Sequence, residues 1–178
     1  NSFKPDHPQA QKWLQEGLSI EVHTLTHPCP LLQQGNFRRA AEVVHGGLDL
    51  LAGIPGNHPI AYRMPCCDSM NSLSPRFFAE IFNKTSVAGH YLQIDTSVFN
   101  IITSGDKSLP SKLVLDADRN ERFAKYLPKE VTRPGMRHMG SYVGTIENYS
   151  YPYVINRLCW EFPCVVPSDW EAHNLIGD

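Results

Sequence analysis

The sequence predicts an α/β domain built on a parallel sheet or a barrel, and three observations carry that expectation. Helix-period and strand-period patterns alternate through the first hundred residues, as they do when each strand is followed by a crossover helix. Polar, chemistry-bearing residues stand just past three of the strand patterns: His23 and His27, Arg63, and Asp95. In such folds the loops at the carboxyl ends of the strands converge and carry the site. With 178 residues, 42% hydrophobic and 19% charged, the chain can fill one core and is short for two, so 1–178 reads as a single domain.

The elements follow in order. After a proline-rich start, residues 9–16 are helix formers with Ala10, Trp13 and Leu14 on one face, and Gly17 is the stop. A strand is expected over 18–22. Asn36 can cap the next helix, where Phe37, Ala40, Val44, Leu48 and Leu51 recur at three- and four-residue steps until Gly53-Ile54-Pro55-Gly56 ends it. Residues 60–64 read as a short apolar strand. Ser74-Pro75 opens a further helix as N-cap and first helical proline, with Phe77, Phe78, Ile81 and Phe82 toward a core. Residues 91–94 and 98–102 make a third strand region. A helix is expected over 118–127, followed by glycines and tyrosines in 133–152 and an apolar stretch over 153–166.

Charge and composition exclude several function classes. Sixteen basic against eighteen acidic side chains give a formal charge of −2, and no basic stripe interleaved with aromatics occurs, so a nucleic-acid partner is not expected. No apolar run has the length of a bilayer span, and no transmembrane segment is expected. Five cysteines, Cys29, Cys66, Cys67, Cys159 and Cys164, lack the paired spacing of a zinc ribbon and read as scattered small hydrophobes. Asp116-Ala117-Asp118-Arg119-Asn120 copies the start of an EF-hand loop, but Glu121 occupies the glycine position and Leu127 the final glutamate position, so it reads as a helix cap. Asn83-Lys84-Thr85 and Asn148-Tyr149-Ser150 satisfy the N-glycosylation pattern, which short tripeptides often do by chance. Tyr142, Tyr149, Tyr151, Tyr153 and Trp160 suit either a sugar cleft or a core.

The chemistry concentrates in two motifs. In Ser19-Ile20-Glu21-Val22-His23-Thr24-Leu25-Thr26-His27-Pro28 an apolar alternation runs into two histidines four residues apart, whose neutral imidazoles can turn toward one ion. Two histidines are at most two of the ligands that zinc takes, so a third has to come from elsewhere. Thr24 and Pro28 exclude the helical His-Glu-x-x-His arrangement. Arg63-Met64-Pro65-Cys66 follows the next strand: a guanidinium there can hold a carboxylate bidentately, and proline fixes the direction of the following N–H. A structural ion pair to a nearby acid is the plainer use of Arg63. Cys66-Cys67-Asp68 beside it reads as a tight loop before it reads as a second metal or nucleophile site.

Together these motifs resemble, in content and order, those of the polysaccharide deacetylases, the fourth carbohydrate esterase family. His23-Thr24-Leu25-Thr26-His27-Pro28 fits the family's His-Ser/Thr-x-x-His-Pro at every specified position. Arg63-Met64-Pro65 fits Arg-x-Pro-Tyr/Phe with Cys66 in place of the aromatic, and Asp95-Thr96-Ser97-Val98-Phe99 loosely echoes Asp-Ser-x-Asp-Trp. The resemblance spans about residues 10–103. It implies an incomplete (β/α) barrel of the polysaccharide deacetylase type and metal-dependent hydrolysis of N- or O-acetyl groups on a polysaccharide, the polymer being the expected partner. By the same resemblance His23 and His27 bind a divalent metal, zinc being expected, and Thr24 steadies its loop beside the substrate with Pro65. Arg63 orients a catalytic base, and the N–H of Cys66 contributes to an oxyanion hole.

The departures are specific. The family's first motif is an Asp-Asp pair that supplies base and third ligand, and no such pair occurs in the chain. Neither His138 nor His173 stands where the last motif has its histidine. Val98 replaces an acid that supports the arginine, leaving that role open to Asp95. Because both missing motifs are terminal, the expectation is an internal piece of a deacetylase, truncated at both ends. A catalytically inactive glycan- or metal-binding domain, and an α/β metallohydrolase of another family acting on a small amide, are the alternatives. An envelope or secreted setting is suggested by the resemblance alone.

Overall fold

The computed structural model describes residues 4, 6–28, 31–32, 35–65, 74–124, 145–147 and 151–166. Helix α1, Pro8–Gln15, starts one residue earlier than the periodicity places it, because His7 acts as N-cap through its ring nitrogen and Pro8 takes the first position. Helix α2, Phe37–Ala52, is capped by Asn36 Oδ1 accepting from Arg39 N–H, as its sequence predicts, and buries Ala40, Val43, Val44, Gly47 and Leu48. Ser74 caps α3, Pro75–Phe77, which runs directly into a π-helical turn, Phe78–Phe82. Residues 111–114 form a short helix, α4, Ser111–Val114, that the periodicity does not announce.

The strands are short and largely parallel. β1 (Ala61–Tyr62), β2 (Ile94–Asp95) and β6 (Cys159–Glu161) lie side by side in parallel, and β5 (Tyr153–Ile155) closes the far edge antiparallel to β6. Val22 extends the near edge by a parallel bridge to Tyr62. A second sheet has the order β4 (Thr145–Glu147), β3 (Phe99–Ile101), β7 (Cys164–Val166), all parallel. The fold is thus mixed α/β with small open sheets among the described residues. Against one face pack α2, α3 and the π turn, burying Val22, Val43, Val44, Leu48, Tyr62, Met64, Phe77, Ile81 and Phe82. Tyr62, Phe77, Phe78 and Phe82 form an aromatic cluster in which Phe77 and Phe78 meet edge to face at 5.4 Å.

The strand expected over 18–22 shrinks to the single bridge at Val22, and the cause is side-chain competition for the backbone. Asn57, 3% exposed, takes both polar groups of Ile20: its Oδ1 accepts from Ile20 N–H at 3.1 Å and its Nδ2 donates to Ile20 C=O at 2.9 Å, with a further bond to Leu51 C=O. Glu21 Oε2 accepts from the N–H groups of Ile60 and Ala61. These contacts stand where a ladder would otherwise run.

The helix expected over 118–127 is not formed over its described part. Asp116 accepts from Asn120 N–H, Arg119 adopts φ 65°, and Leu115 bridges Glu121, so residues 116–121 make a polar turn closed by its own carboxylate; 125–127 lie outside the described residues. The apolar stretch 153–166 resolves into a hairpin whose three-residue loop, 156–158, holds Asn156 and Arg157 at positive φ and closes with Leu158 N–H to Ile155 C=O, with β6 as its second strand and β7 after it.

Asp95 pairs with Glu161 and Phe99 with Cys164, so three residues, 96–98, face two, 162–163. One extra residue is therefore accommodated as a bulge, and the ladder continues across it through Phe162 N–H to Asp95 C=O and Cys164 N–H to Val98 C=O. No helix among the described residues is long and apolar enough to cross a membrane.

Candidate functional site

Parallel pairing puts Val22, Tyr62, Asp95 and Glu161 in one row across four neighbouring segments. The residues that follow the first three, His23, Arg63 and Thr96, therefore leave the sheet together at its carboxyl edge. The candidate site is built on this edge.

The histidine loop is held against α2. Leu25 N–H donates to Val43 C=O at 2.9 Å, and Thr24 Oγ1 accepts from His27 N–H at 3.0 Å. Thr24 and His27 both sit at positive φ, 66° and 52°. For a β-branched threonine this is a strained conformation that the surroundings must impose, and such strain collects at functional loops. Gly47 makes the approach possible: a Cβ there would stand 3.0 Å from the carbonyl carbon of Thr24 and 3.1 Å from Leu25 N. Inside the loop the rings of His23 and His27 meet edge to face at 4.9 Å between centroids.

His23 Nδ1 lies 2.8 Å from the carbonyl oxygen of Arg63. A carbonyl only accepts, so Nδ1 carries a proton, and in the neutral imidazole this tautomer leaves the lone pair on Nε2, the form that binds a metal. Among the described residues, no group of three or more His, Cys, Asp or Glu side chains could hold a metal ion. The described residues thus bring two imidazoles together, fewer than the ligands a zinc centre takes.

Arg63 is exposed and donates from Nε to Thr96 Oγ1 at 3.1 Å and from Nη1 to Cys164 Sγ at 3.1 Å. Its partners among the described residues are thus a hydroxyl and a sulfur, and the plain ion pair considered for it from sequence is not among them. Thr24 is half-buried in its loop, and Pro65 is buried. Cys66, with Cys67 and Asp68, lies outside the described residues.

Asp95 does not reach the surface. It is fully buried, and its Oδ1 accepts from Ser97 Oγ at 2.6 Å, while Ser97 Oγ in turn accepts from Met64 N–H at 2.8 Å. Its cross-strand neighbour Glu161 is equally buried and accepts from Val98 N–H at 3.1 Å. Burial first, then the charge of Asp95, push the Glu161 carboxyl up to about 9, against the pull of Val98 N–H and of Arg63. Burial also raises Asp95, opposed by its hydrogen bonds to Glu161 and Ser97. The same burial, with both carboxyls nearby, pushes the Cys159 thiol up to about 12.

Sequence reasoning brings His23, His27, Arg63 and Asp95 to one edge; the structure leaves His23, His27 and Arg63 exposed there, while Asp95 is buried inside the row. It misses Ser97, Glu161, Cys164 and Gly47. Glu161 had a readable signal, since it is the one charge inside Leu158-Cys159-Trp160-Glu161-Phe162, and a charge in an apolar strand has to be paired or neutralised. Cys164 had none. No protein-family model matches the chain, and no curated protein or solved structure matches it either.

Proposed function

We propose that this edge is the site of a metal-dependent deacetylase acting on an N- or O-acetylated polysaccharide, within an incomplete barrel of the polysaccharide deacetylase type. The observation that supports it best is the bond from His23 Nδ1–H to the Arg63 carbonyl, which ties the two motifs together and leaves Nε2 as a ligand. His23 and His27 are the protein's ligands to a divalent ion, zinc first, whose third protein ligand lies outside the described residues. Thr24 sets the loop and the His23 tautomer sets the ligand, while Arg63, clamped by Thr96 and Cys164, presents a fixed positive charge beside them. Fixed donors of that kind favour anionic charge developing on a hydrolysed acetyl group. Asp95 acts from behind, through Ser97.

A second reading is a domain that binds glycan or metal without turnover. It draws on two specific observations: only two imidazoles are gathered among the described residues, and Arg63 forms no ion pair with a carboxylate there, its partners being Thr96 and Cys164.

Zinc titration of the wild type against His23→Ala, run beside acetate release from acetylated chitin oligomers and acetylated xylan, separates the two. Zinc binding lost in His23→Ala together with zinc-dependent acetate release supports the deacetylase. Binding without release supports the binding domain, and equal, tight zinc binding in both proteins removes the metal reading altogether.

A further inference from the structure

The row that positions His23 and Arg63 continues inward to two acids on directly paired residues, Asp95 and Glu161, both at 0% exposure. Each has one satisfied oxygen: Asp95 Oδ1 accepts from Ser97 Oγ, and Glu161 Oε1 accepts from Val98 N–H. Each also has one oxygen, Asp95 Oδ2 and Glu161 Oε2, that is buried with no donor. Two ionised carboxylates in this position would leave two buried oxygens unmet and place two like charges side by side away from water, an unfavourable state.

One proton on Oε2 would meet both needs, since protonated Glu161 then donates to Asp95 and the pair carries a single negative charge. Asp95 is the better anion, because the Ser97 hydroxyl donates to its Oδ1 at 2.6 Å and the neighbouring backbone of Thr96 and Ser97 favours its charged form.

We propose that Asp95 and Glu161 form a carboxyl pair sharing one proton, and that this pair positions the Arg63–Pro65 turn through the bulge of residues 96–98. Two hydrogen-bonded routes lead out of it. Asp95 holds Ser97, whose hydroxyl oxygen receives Met64 N–H, and Glu161 holds Val98 N–H on the bulged strand. On the same bulge, between Asp95 and Ser97, lies Thr96, whose hydroxyl receives the guanidinium of Arg63. The groups facing the pair are Arg63, whose charge favours ionised Glu161, and the Cys159 thiol on the same strand as Glu161, which is kept protonated by burial and by both carboxyls. Asp95 and Glu161 are positioning residues, acting on the turn from behind. The role of the turn in turnover rests on the proposed deacetylase reading; the shared proton does not.

Infrared spectroscopy on the full chain, with the amide signal of Met64 followed by NMR over the same pH range, tests this. The wild type is expected to show a protonated-carboxyl band at pH 7 that disappears with a midpoint near 9, and the Met64 signal is expected to move with the same midpoint. Glu161→Gln, which keeps a donor toward Asp95, is expected to remove the band and to leave Met64 independent of pH. In Asp95→Asn the midpoint is expected to fall by at least one pH unit, a tenfold change in proton affinity.

Absence of the band in the wild type, or a band that survives Glu161→Gln, overturns the shared proton. A Met64 signal that does not follow the band overturns the positioning role. The wild-type titration decides both even if a variant fails to fold, and neither readout uses zinc or acetate release, so the result stands apart from the deacetylase assay.

Discussion

Gly47→Ala isolates what holds the histidine loop. In an exposed helix interior, alanine would gain about 1 kcal/mol over glycine. At position 47 the new methyl would instead meet backbone, 3.0 Å from Thr24 C, 3.1 Å from Leu25 N and 3.3 Å from Thr24 Cα, none of which can swing aside as a side-chain tip does. Overpacking of this kind costs about 1–3 kcal/mol. Pushing the loop away would also break the Leu25 N–H to Val43 C=O bond, worth about 0.5–1.5 kcal/mol. The net expectation is a loss of about 1–3 kcal/mol in urea unfolding.

Gly46→Ala is the internal control. Its methyl would meet only Leu25 Cδ2 at 3.2 Å, the end of an exposed side chain, so it should be neutral or stabilising by up to about 1 kcal/mol. Because the displaced loop carries both histidines, zinc affinity should fall in the first variant and hold in the second. A Gly47→Ala protein as stable as Gly46→Ala, with the same zinc titration, would refute the reasoning.

Two further outcomes follow from the buried polar groups. Asn57→Ala strips three hydrogen bonds at once and leaves the N–H and C=O of Ile20 without their partner, while the C=O of Leu51 keeps Ile54 N–H, so it should cost about 2–4 kcal/mol in urea unfolding; a loss under about 0.5 kcal/mol would mean water replaces the carboxamide. Glu161 holds its proton more tightly folded than unfolded, so its contribution to stability is fully present below the ordinary carboxyl value of 4.5 and is lost as pH rises to about 9, by at most about 1.4 kcal/mol per pH unit. Melting temperature measured across that interval should fall in the wild type and flatten in Glu161→Gln, and a rising profile would contradict the sign.

The parts of the fold readable in the sequence are those in which local chemistry and burial agree. Helix α2 carries its cap, its apolar stripe and its glycine stop within one window, and Ser74-Pro75 opens α3 by the same logic. The misses share another cause. Residues 18–22 have the alternation of a strand, yet the groups that satisfy Ile20 belong to Asn57, 37 residues away, and no local window contains that partner. Residues 116–121 have helix formers, but Asp116 reaches the Asn120 N–H first and closes a turn. In both places a polar side chain supplies the bond that the backbone ladder would otherwise make.

The same substitution explains how much of the site was legible. His23, His27, Arg63 and Asp95 announce themselves because each follows an apolar strand pattern, and the parallel row through Val22, Tyr62 and Asp95 then sets them side by side. The register that puts Glu161 opposite Asp95 depends on a crossover of more than sixty residues, which periodicity cannot fix. Once that register exists, the consequences are forced. Two carboxyls with one donorless oxygen each must share a proton or lie apart, and the extra residue of the bulge gives the strand the slack to turn Ser97 toward Met64 and Thr96 toward Arg63. The arginine that the sequence marks as chemical is therefore held in place by an acid pair of which the sequence shows only half.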